Sequence, residues 1–235
     1  MDEKIAFKTF EKWSKNQQVC LANLFPTVQK KEAVHIDLSI ENTTVKTEAE
    51  FNNPAFFSEK LAEIQQQHPN KIITGGYLEK RALYTSAIYN AENSSEKRNI
   101  HLGVDFWLPK NTPIHAIFDG TIVCSVHQKD HKGYGGFIIL KHTFSAIEFH
   151  TLYGHLSENS TLKYKIGDFI KKGTDIGVLG NYEENGKWVP HLHFQIMLSL
   201  LDYQNDFPGV ALESEIDYWK HICPNPNLLF KSNVL

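Results

Sequence analysis

Two pairs of metal-binding residue types occur in the C-terminal two thirds of the chain. His191-Leu-His193 lies in a run of alternating residues at 191–196, which predicts a β-strand. Both rings would then project from one face of the strand, with their α-carbons about 6.6 Å apart, close enough to serve one site. A His-x-His pair alone is equally compatible with a metal site and with two structural histidines.

The second pair is His101-Leu-Gly-Val-Asp105. On a straight strand, residues four apart are separated by about 13 Å, too far for both to bind one ion at about 2 Å. Gly103 and the residues after it disfavour a helix, so the spacing requires a bend, and Gly103 is the residue that permits one. Together with one histidine of the first pair, this makes a His/Asp/His set. Three such ligands and a fourth position for water are typical of a catalytic zinc site.

A third candidate is His155 in the segment Leu152-Tyr-Gly-His155-Leu. It follows an apolar run and a glycine, which predicts a place near a strand end, where the ring can face a cleft. A half-buried histidine bonded to the backbone would explain it if it stood alone. The chain has no His-Glu-x-x-His helix, so the group that handles protons has to be a histidine.

The elements that would position these residues are mostly β-strands. From about residue 71, short runs rich in β-branched and aromatic residues occur at 113–118, 121–126, 136–140, 147–153 and 191–196. Asp119-Gly120 predicts a hairpin between the first two runs, and Gly133-Tyr-Gly-Gly136 predicts a second hairpin turn. Strands of this length and spacing predict an antiparallel sandwich or barrel.

The first seventy residues differ from the rest. Helical spacing at 5–13 and a proline in the first turn at 54–64 predict two helices, and alternation at 33–40 predicts a strand. We therefore expect a mainly β protein with an α+β N-terminal part. The predicted division is an N-terminal extension, residues 1–70, that packs on a core domain of residues 71–235. No motif with chemistry occurs in the extension.

Composition excludes several classes of protein. With 235 residues, 41% hydrophobic, 22% charged and a net charge of −3, the chain is neither disordered nor basic enough to favour nucleic acid or an anionic membrane. Its longest apolar runs are far shorter than the about 20 residues that span a bilayer. The N-terminus lacks a secretory signal, and three widely spaced cysteines predict reduced thiols. We expect a cytoplasmic protein.

Taken together, these motifs resemble the lysostaphin/LytM-type zinc metallopeptidases, many of which cleave peptide cross-bridges in bacterial cell walls. The resemblance extends over about 101–196 and depends on five segments in the family's order. They are His101–Asp105, Thr112–Val123, Tyr153–Leu156, Ile166–Gly177 and His191–Phe194. The resemblance implies an antiparallel β-sandwich of the lysostaphin-like (barrel-sandwich hybrid) type, with a groove over the metal.

The resemblance also implies a site and a reaction. His101, Asp105 and His193 would bind Zn²⁺, and His155 and His191 would flank the attacking water and the scissile carbonyl. The implied reaction is hydrolysis of a peptide or amide bond, in a peptidoglycan-like or an intracellular peptide substrate. Two histidines and a carboxylate also suit other divalent metals.

Two features depart from the family's usual pattern. The approach to His191 at 181–190 is bulky and charged instead of short and small, and Gln195 replaces a glutamate. A bulkier loop would narrow or reshape the groove. The segments 75–84, 206–210 and 223–229 resemble a variant of this domain found in long cytoplasmic proteins with kinase-like and aminotransferase-like domains. That likeness implies partner domains in a larger assembly.

Two other functions are compatible with the sequence. The first is a non-catalytic binding or regulatory module on the same fold, although such modules usually lose one or more ligands and this chain has all five family positions. The second is a lipoyl- or biotinyl-type carrier domain built on the segment that begins at Lys165. The function of a carrier domain does not require the pairs His101/Asp105 and His191/His193.

Overall fold

The structure is a computed structural model that describes residues 2–30, 32–42, 45, 47–84, 87–91, 96–145 and 147–230. Its helices are α1 (Glu3–Ser14), α2 (Leu21–Leu24), α3 (Glu48–Asn52), α4 (Pro54–Gln67), α5 (Glu158–Thr161) and α6 (Ile216–Ile222). Its strands are β1 (Glu32–Ile36), β2 (Lys71–Gly75), β3 (Ile100–His101), β4 (Val104–Trp107), β5 (Pro113–His115), β6 (Gly120–His127), β7 (Gly136–Phe144), β8 (Ile147–Leu156), β9 (Phe169–Ile170), β10 (Asp175–Val178), β11 (His191–Met197) and β12 (Val210–Ala211).

Most of the β structure lies in one large sheet with the strand order β1-β2-β4-β11-β8-β7-β6-β9. β1 pairs with β2 in parallel, and all the other neighbours pair antiparallel. The sheet is therefore mixed, whereas the sequence predicted an antiparallel one, because β1 joins its edge in the same direction as β2. Two smaller sheets, β5–β10 and β3–β12, complete the β structure of the described residues.

One face of the large sheet packs mainly against apolar side chains. Successive side chains of a strand point to opposite faces, so alternate residues of each central strand share this face. They form one buried cluster with residues of β5 and β10 and with Phe10 of α1. Members contributed by the sheet include Val104, Phe106, Ile138, Leu140, Phe149, Tyr153, Leu192, Phe194 and Ile196. Burial of each such side chain stabilises the fold by about 1.5–3 kcal/mol.

The opposite face is covered only at its two sides. On the β1–β2 side, α3 and α4 bury Phe51, Phe57 and Leu61 against Trp107 and Ile73. On the β7–β8 side, a second cluster buries Phe137, Ile139 and Leu152 with Trp219 and Ile222 of α6. The alternate residues of β4 and β11, which point to this face, lie between the two clusters. The fold thus leaves a gap over the middle of the sheet.

The two helices that the sequence predicts in the first seventy residues form as α1 and α4. Asp2 caps α1 by accepting hydrogen bonds from the backbone of Lys4 and Ile5, and Asn53 caps α4, which begins at Pro54. The predicted strand is shorter than expected, since β1 ends at Ile36. β1 and β2 pair along their whole length, so the large sheet continues across residue 70.

One predicted hairpin is wrong and the other is confirmed. β5 and β6, on either side of Asp119-Gly120, do not pair: β5 pairs with β10, and β6 pairs with β7 and β9. The reason is that Ala116 and Ile117 between them are fully buried in the core, so the chain crosses from the small sheet to the large one. The turn that contains Gly133 does join the antiparallel strands β6 and β7.

Among the described residues, no helix has both the length and the apolar character needed to cross a bilayer.

Candidate metal centre

His101 and Asp105 are brought together by a change of sheet. His101 ends β3, which pairs with β12, whereas Asp105 lies on β4 inside the large sheet. The chain bends at Gly103 between the two strands, as the spacing predicted. As a result, Nε2 of His101 lies 3.3 Å from Oδ1 of Asp105.

Gly103 is needed for space rather than for an unusual backbone angle. A Cβ at this position would lie 2.7 Å from the ring of His193 and 2.7 Å from the carbonyl oxygen of Phe194. The carbonyl belongs to β11 and cannot move without breaking the sheet, so any side chain at residue 103 displaces the His193 ring.

We expect Gly103→Ala to destabilise the protein by about 1–3 kcal/mol, because the added methyl overpacks the site. Urea unfolding of the variant measures the change. Gly133→Ala is the comparison variant and should cost less, since a Cβ there would meet no atom closer than 3.3 Å. Equal urea midpoints of unfolding for wild type and Gly103→Ala would contradict the packing argument.

Three donor atoms from three strands converge at one point. His193 on β11 lies directly opposite Asp105 on β4. Its Nδ1 is 2.9 Å from Nε2 of His101 and 3.3 Å from Oδ1 of Asp105. Ligands bound at about 2.0–2.2 Å with tetrahedral angles are separated by about 3.3–3.6 Å. Two imidazole nitrogens and one carboxylate oxygen therefore fit a single divalent ion, with only a small widening of the site.

The far nitrogen of each of these two histidines is held by an acceptor oxygen. Nδ1 of His101 donates to the carbonyl of Gly76 at 2.8 Å, and Nε2 of His193 donates to Oε1 of Gln195 at 2.9 Å. The Gln195 amide is held in this orientation because its Nε2 donates to the carbonyl of Pro208 at 3.1 Å. Both tautomers are thereby determined, and the lone pairs of both rings face the cluster.

His155 and His191 lie beside this cluster and are held in the same way. Nδ1 of His155 donates to the carbonyl of Asn185 at 2.9 Å, and Nδ1 of His191 donates to the carbonyl of Val189 at 2.7 Å. Their ring centres are 4.2 Å apart. Nε2 of each ring is therefore the acceptor, and that of His191 lies 3.8 Å from Oδ1 of Asp105.

A β-bulge turns His155 towards the other four residues. In a regular strand His155 would share a face with Tyr153, whose side chain is in the apolar core. The β7–β8 register shifts between Gly136 and Ile138, and His155 has a φ of +62°. Positive φ is uncommon for a residue other than glycine, and bulges often redirect a side chain at a functional site.

The pKa values of these groups follow from their burial and their neighbours. Burial by itself would raise the pKa of Asp105, but its interactions with His101 and with the charged Arg81 hold it well below its usual range. Burial lowers the pKa of His191 to about 4. Burial, together with the nearby His191, also holds the pKa of His155 well below its usual range. At pH 7 both rings are neutral, so each Nε2 can accept a proton.

Arg81 is a site residue that sequence reasoning missed. It is 3% exposed, and its Nη1 donates to Oδ2 of Asp105 at 2.6 Å while its Nε donates to Oε2 of Glu79 at 2.7 Å. Burial alone would lower the pKa of the guanidinium, but Tyr84 and Asp105 beside it raise that pKa. Nothing in the local sequence indicates this pairing, because the partners are 24 residues apart.

A cavity of about 290 Å³ opens onto the cluster, and all five histidine and aspartate candidates line it. Phe51 and Phe57 of the N-terminal region form part of its wall, although the sequence showed no chemical motif there. Lys132 and Tyr134 contribute from the loop between β6 and β7. The hydroxyl of Tyr134 is buried and has no hydrogen-bond partner among the described residues.

The 181–190 loop lines the cavity without filling it. Asn185 is fully buried and bonds through its side chain to both the N–H and the carbonyl of Trp188. Trp188 forms a wall of the cavity, while Glu183 and Lys187 pair with each other. The loop therefore positions both an aromatic wall and the carbonyl that holds His155.

Comparison with known proteins shows which family the segment with the cluster resembles. Residues 99–205 match the profile of peptidase family M23. Lysostaphin of Staphylococcus simulans is 30% identical over 141 residues, which are 57% of this chain and 26% of that protein. The peptidoglycan DD-endopeptidase ShyA of Vibrio cholerae serotype O1 is 30% identical over 99 residues, 42% of this chain and 20% of ShyA. Over this segment the chain is similar to the lysostaphin/LytM-type metallopeptidases, which is the resemblance that the sequence predicted.

A solved structure covers a similar share of the chain. The catalytic domain of Staphylococcus simulans lysostaphin aligns over 56% of this chain and 88% of that domain, with 28% identity and a TM-score of 0.36. The chain also spans less than a third of the length of the first relatives it matches, between 19% and 30%.

Proposed function

We propose that the chain is a zinc-dependent endopeptidase that hydrolyses a peptide or amide bond in a peptidoglycan-type peptide. The observation that carries this proposal is the convergence of lone pairs. Three donor atoms lie within 3.3 Å of one another, and two further imidazole acceptors face the same cavity. A structural metal site has no need of the two additional acceptors.

The proposed ligands are His101 through Nε2, Asp105 through Oδ1 and His193 through Nδ1. When bound, zinc would polarise the scissile carbonyl and lower the pKa of a bound water towards about 7. Arg81 leaves Oδ1 of Asp105 free to bind by occupying Oδ2. Gln195 and the Gly76 carbonyl hold the two imidazoles in the tautomers that ligation requires.

His155 and His191 are the proposed proton carriers. Each has its N–H bonded to a backbone carbonyl, so the proton from the attacking water goes to an Nε2 atom. Because the two rings are in contact, the first proton disfavours a second one on the neighbouring ring. The protonated ring then carries an N–H donor, which stabilises the developing oxyanion and delivers the proton to the leaving amine.

The relatives and the cavity together favour a peptide as substrate. ShyA is an endopeptidase by name and lysostaphin is described as an antimicrobial peptidase. The match to peptidase family M23 at residues 99–205 includes the cluster. The cavity is lined by the aromatic rings of Phe57, Trp107 and Trp188 around the polar centre. A peptide of small residues could lie across the cluster between these rings.

We expect the purified protein to bind about one zinc per chain, and His193→Ala to bind none, because two ligands are too few to retain the ion. Elemental mass spectrometry of tag-free protein purified without chelator measures the content. His131→Ala, which removes an exposed histidine outside the cluster, is the matched control and should keep the metal.

A screen of cell-wall and intracellular peptides with the zinc-loaded protein tests the reaction. Cleavage of a peptide by wild type and not by His193→Ala is the expected result. An empty site after addition of zinc would refute the proposal. Bound zinc with no hydrolysis across the library would favour a non-catalytic binding module.

A further inference from the structure

We propose that Lys132 and Trp188 form a subsite for a carboxylate of the substrate, next to the metal centre. The inference rests on the proposed peptidase function and adds a substrate class to it, namely peptides that carry a free carboxylate close to the scissile bond. The feature behind it is an ammonium group that is buried in the cavity wall without an acidic partner.

Lys132 is only 5% exposed, and its Nζ has few partners. It donates one hydrogen bond to the carbonyl of Lys187 at 3.1 Å and lies 3.8 Å from the ring centre of Trp188. Among the described residues no carboxylate oxygen is within 4 Å of it. An ammonium has three donors, so two remain for a ligand in the cavity.

The other buried cation of the cavity is paired quite differently. Arg81 bonds to two carboxylates, Asp105 and Glu79, which compensate its charge. Burial of a charge without such a partner is costly, and burial lowers the pKa of Lys132 to about 8. At pH 7 the group still carries its charge. An unpaired buried ammonium that lines a substrate cavity is therefore suited to bind an anionic group.

The position of Lys132 is built by contacts from three segments. It has a φ of +67°, an unusual angle for a lysine, and its N–H donates to the carbonyl of Gly186 at 2.9 Å. The hydroxyl of Tyr89 donates to its carbonyl, and the indole of Trp188 donates to the carbonyl of Gly133 at 3.1 Å. These contacts hold the lysine stem against Trp188.

The distance from the Lys132 ammonium to His155 limits where the substrate carboxylate lies relative to the scissile bond. The Trp188 ring centre is 6.2 Å from that of His155 and 3.8 Å from the Lys132 ammonium, which therefore lies within about 10 Å of His155. An extended peptide advances about 3.3–3.6 Å per residue. The carboxylate thus belongs to a residue within about three positions of the scissile bond. It is either an α-carboxylate at a chain end or an acidic side chain.

Binding of short peptides to the chelator-treated protein tests the subsite without catalysis. The probes are acetyl-Ala-Ala-Ala with a free carboxylate or a C-terminal amide, and the amidated peptides acetyl-Ala-Glu-Ala and acetyl-Ala-Gln-Ala. Titrations follow the indole N–H resonance of Trp188 by NMR. We expect at least one carboxylate probe to bind wild type about tenfold more tightly than its neutral partner. The first pair reports an α-carboxylate and the second a side-chain carboxylate.

Lys132→Met should abolish this preference while keeping the length of the side chain, and Lys129→Met, an exposed lysine on the same loop, should keep it. Unfolding in urea checks that both variants fold. Equal affinity of wild type for each acidic probe and its neutral partner, or no binding of any probe, overturns the subsite. A preference that persists in folded Lys132→Met overturns it as well. Hydrolysis in the peptide screen without a preference for the acidic probes would refute only the proposed subsite. A preference for the acidic probes without hydrolysis of any peptide would refute only the proposed peptidase activity.

Discussion

His155→Ala is expected to keep the bound metal and to lower kcat/KM by about 10²–10⁴-fold, the usual contribution of general acid–base catalysis. His155 is not one of the three converging ligands, but its Nε2 faces the same cavity and its N–H is tied to Asn185. The loss should appear in kcat for the peptide that the screen identifies. Metal content and kinetics measured on the same sample separate the two effects.

A second variant excludes loss of stability as the cause. His155→Gly removes the imidazole and also relieves the backbone at φ +62°, so it should be equally inactive and no less stable than His155→Ala. His150→Ala changes a buried histidine of the same strand that does not line the cavity, and it should retain activity. Undiminished turnover in His155→Ala would remove this residue from the mechanism.

Arg81→Met is expected to destabilise the metal-free protein by about 3–5 kcal/mol, the cost of breaking a buried ion pair by removal of one partner. The guanidinium is 3% exposed and bonds to Asp105 and Glu79, whose carboxylates would lose their buried cation. Urea unfolding monitored by circular dichroism measures the difference. It should appear as a lower midpoint with an unchanged slope.

The neighbouring Lys80 provides the matched control for this prediction. Its ammonium pairs with Glu213 at 2.5 Å, but both side chains are substantially exposed. Water screens such pairs, so Lys80→Met should cost less than about 1 kcal/mol. If Arg81→Met cost no more than Lys80→Met, the buried network would not stabilise the fold as argued.

Several features of the protein could be predicted from local sequence alone. Alternation in His191-Leu-His193 places both rings on one face of a strand, because the side-chain period of a strand is two. The turn signals around Gly133 and the proline in the first turn of α4 also act over a few residues only. The five motifs in order were enough to predict the family resemblance, which the match over residues 99–205 confirms.

Other features depend on contacts between distant segments and could not be predicted. Asp119-Gly120 has the composition of a hairpin, yet burial of the residues before it sends the chain to another sheet. Arg81 reaches Asp105, and Gly103 has to make room for the His193 ring, only after β2, β4 and β11 have paired. The turn of His155 to the site face requires a register shift between β7 and β8.

The sequence by itself thus determined which residue types are available and on which strand faces most of them lie. The tertiary structure decided the distances between them, their tautomers and their charge partners. The physical reason is the separation along the chain over which each effect acts, because backbone periodicity and turn chemistry act only between residues close in sequence. Convergence of lone pairs, burial of Arg81 and Lys132, and the walls of the cavity depend on packing between segments far apart in the chain.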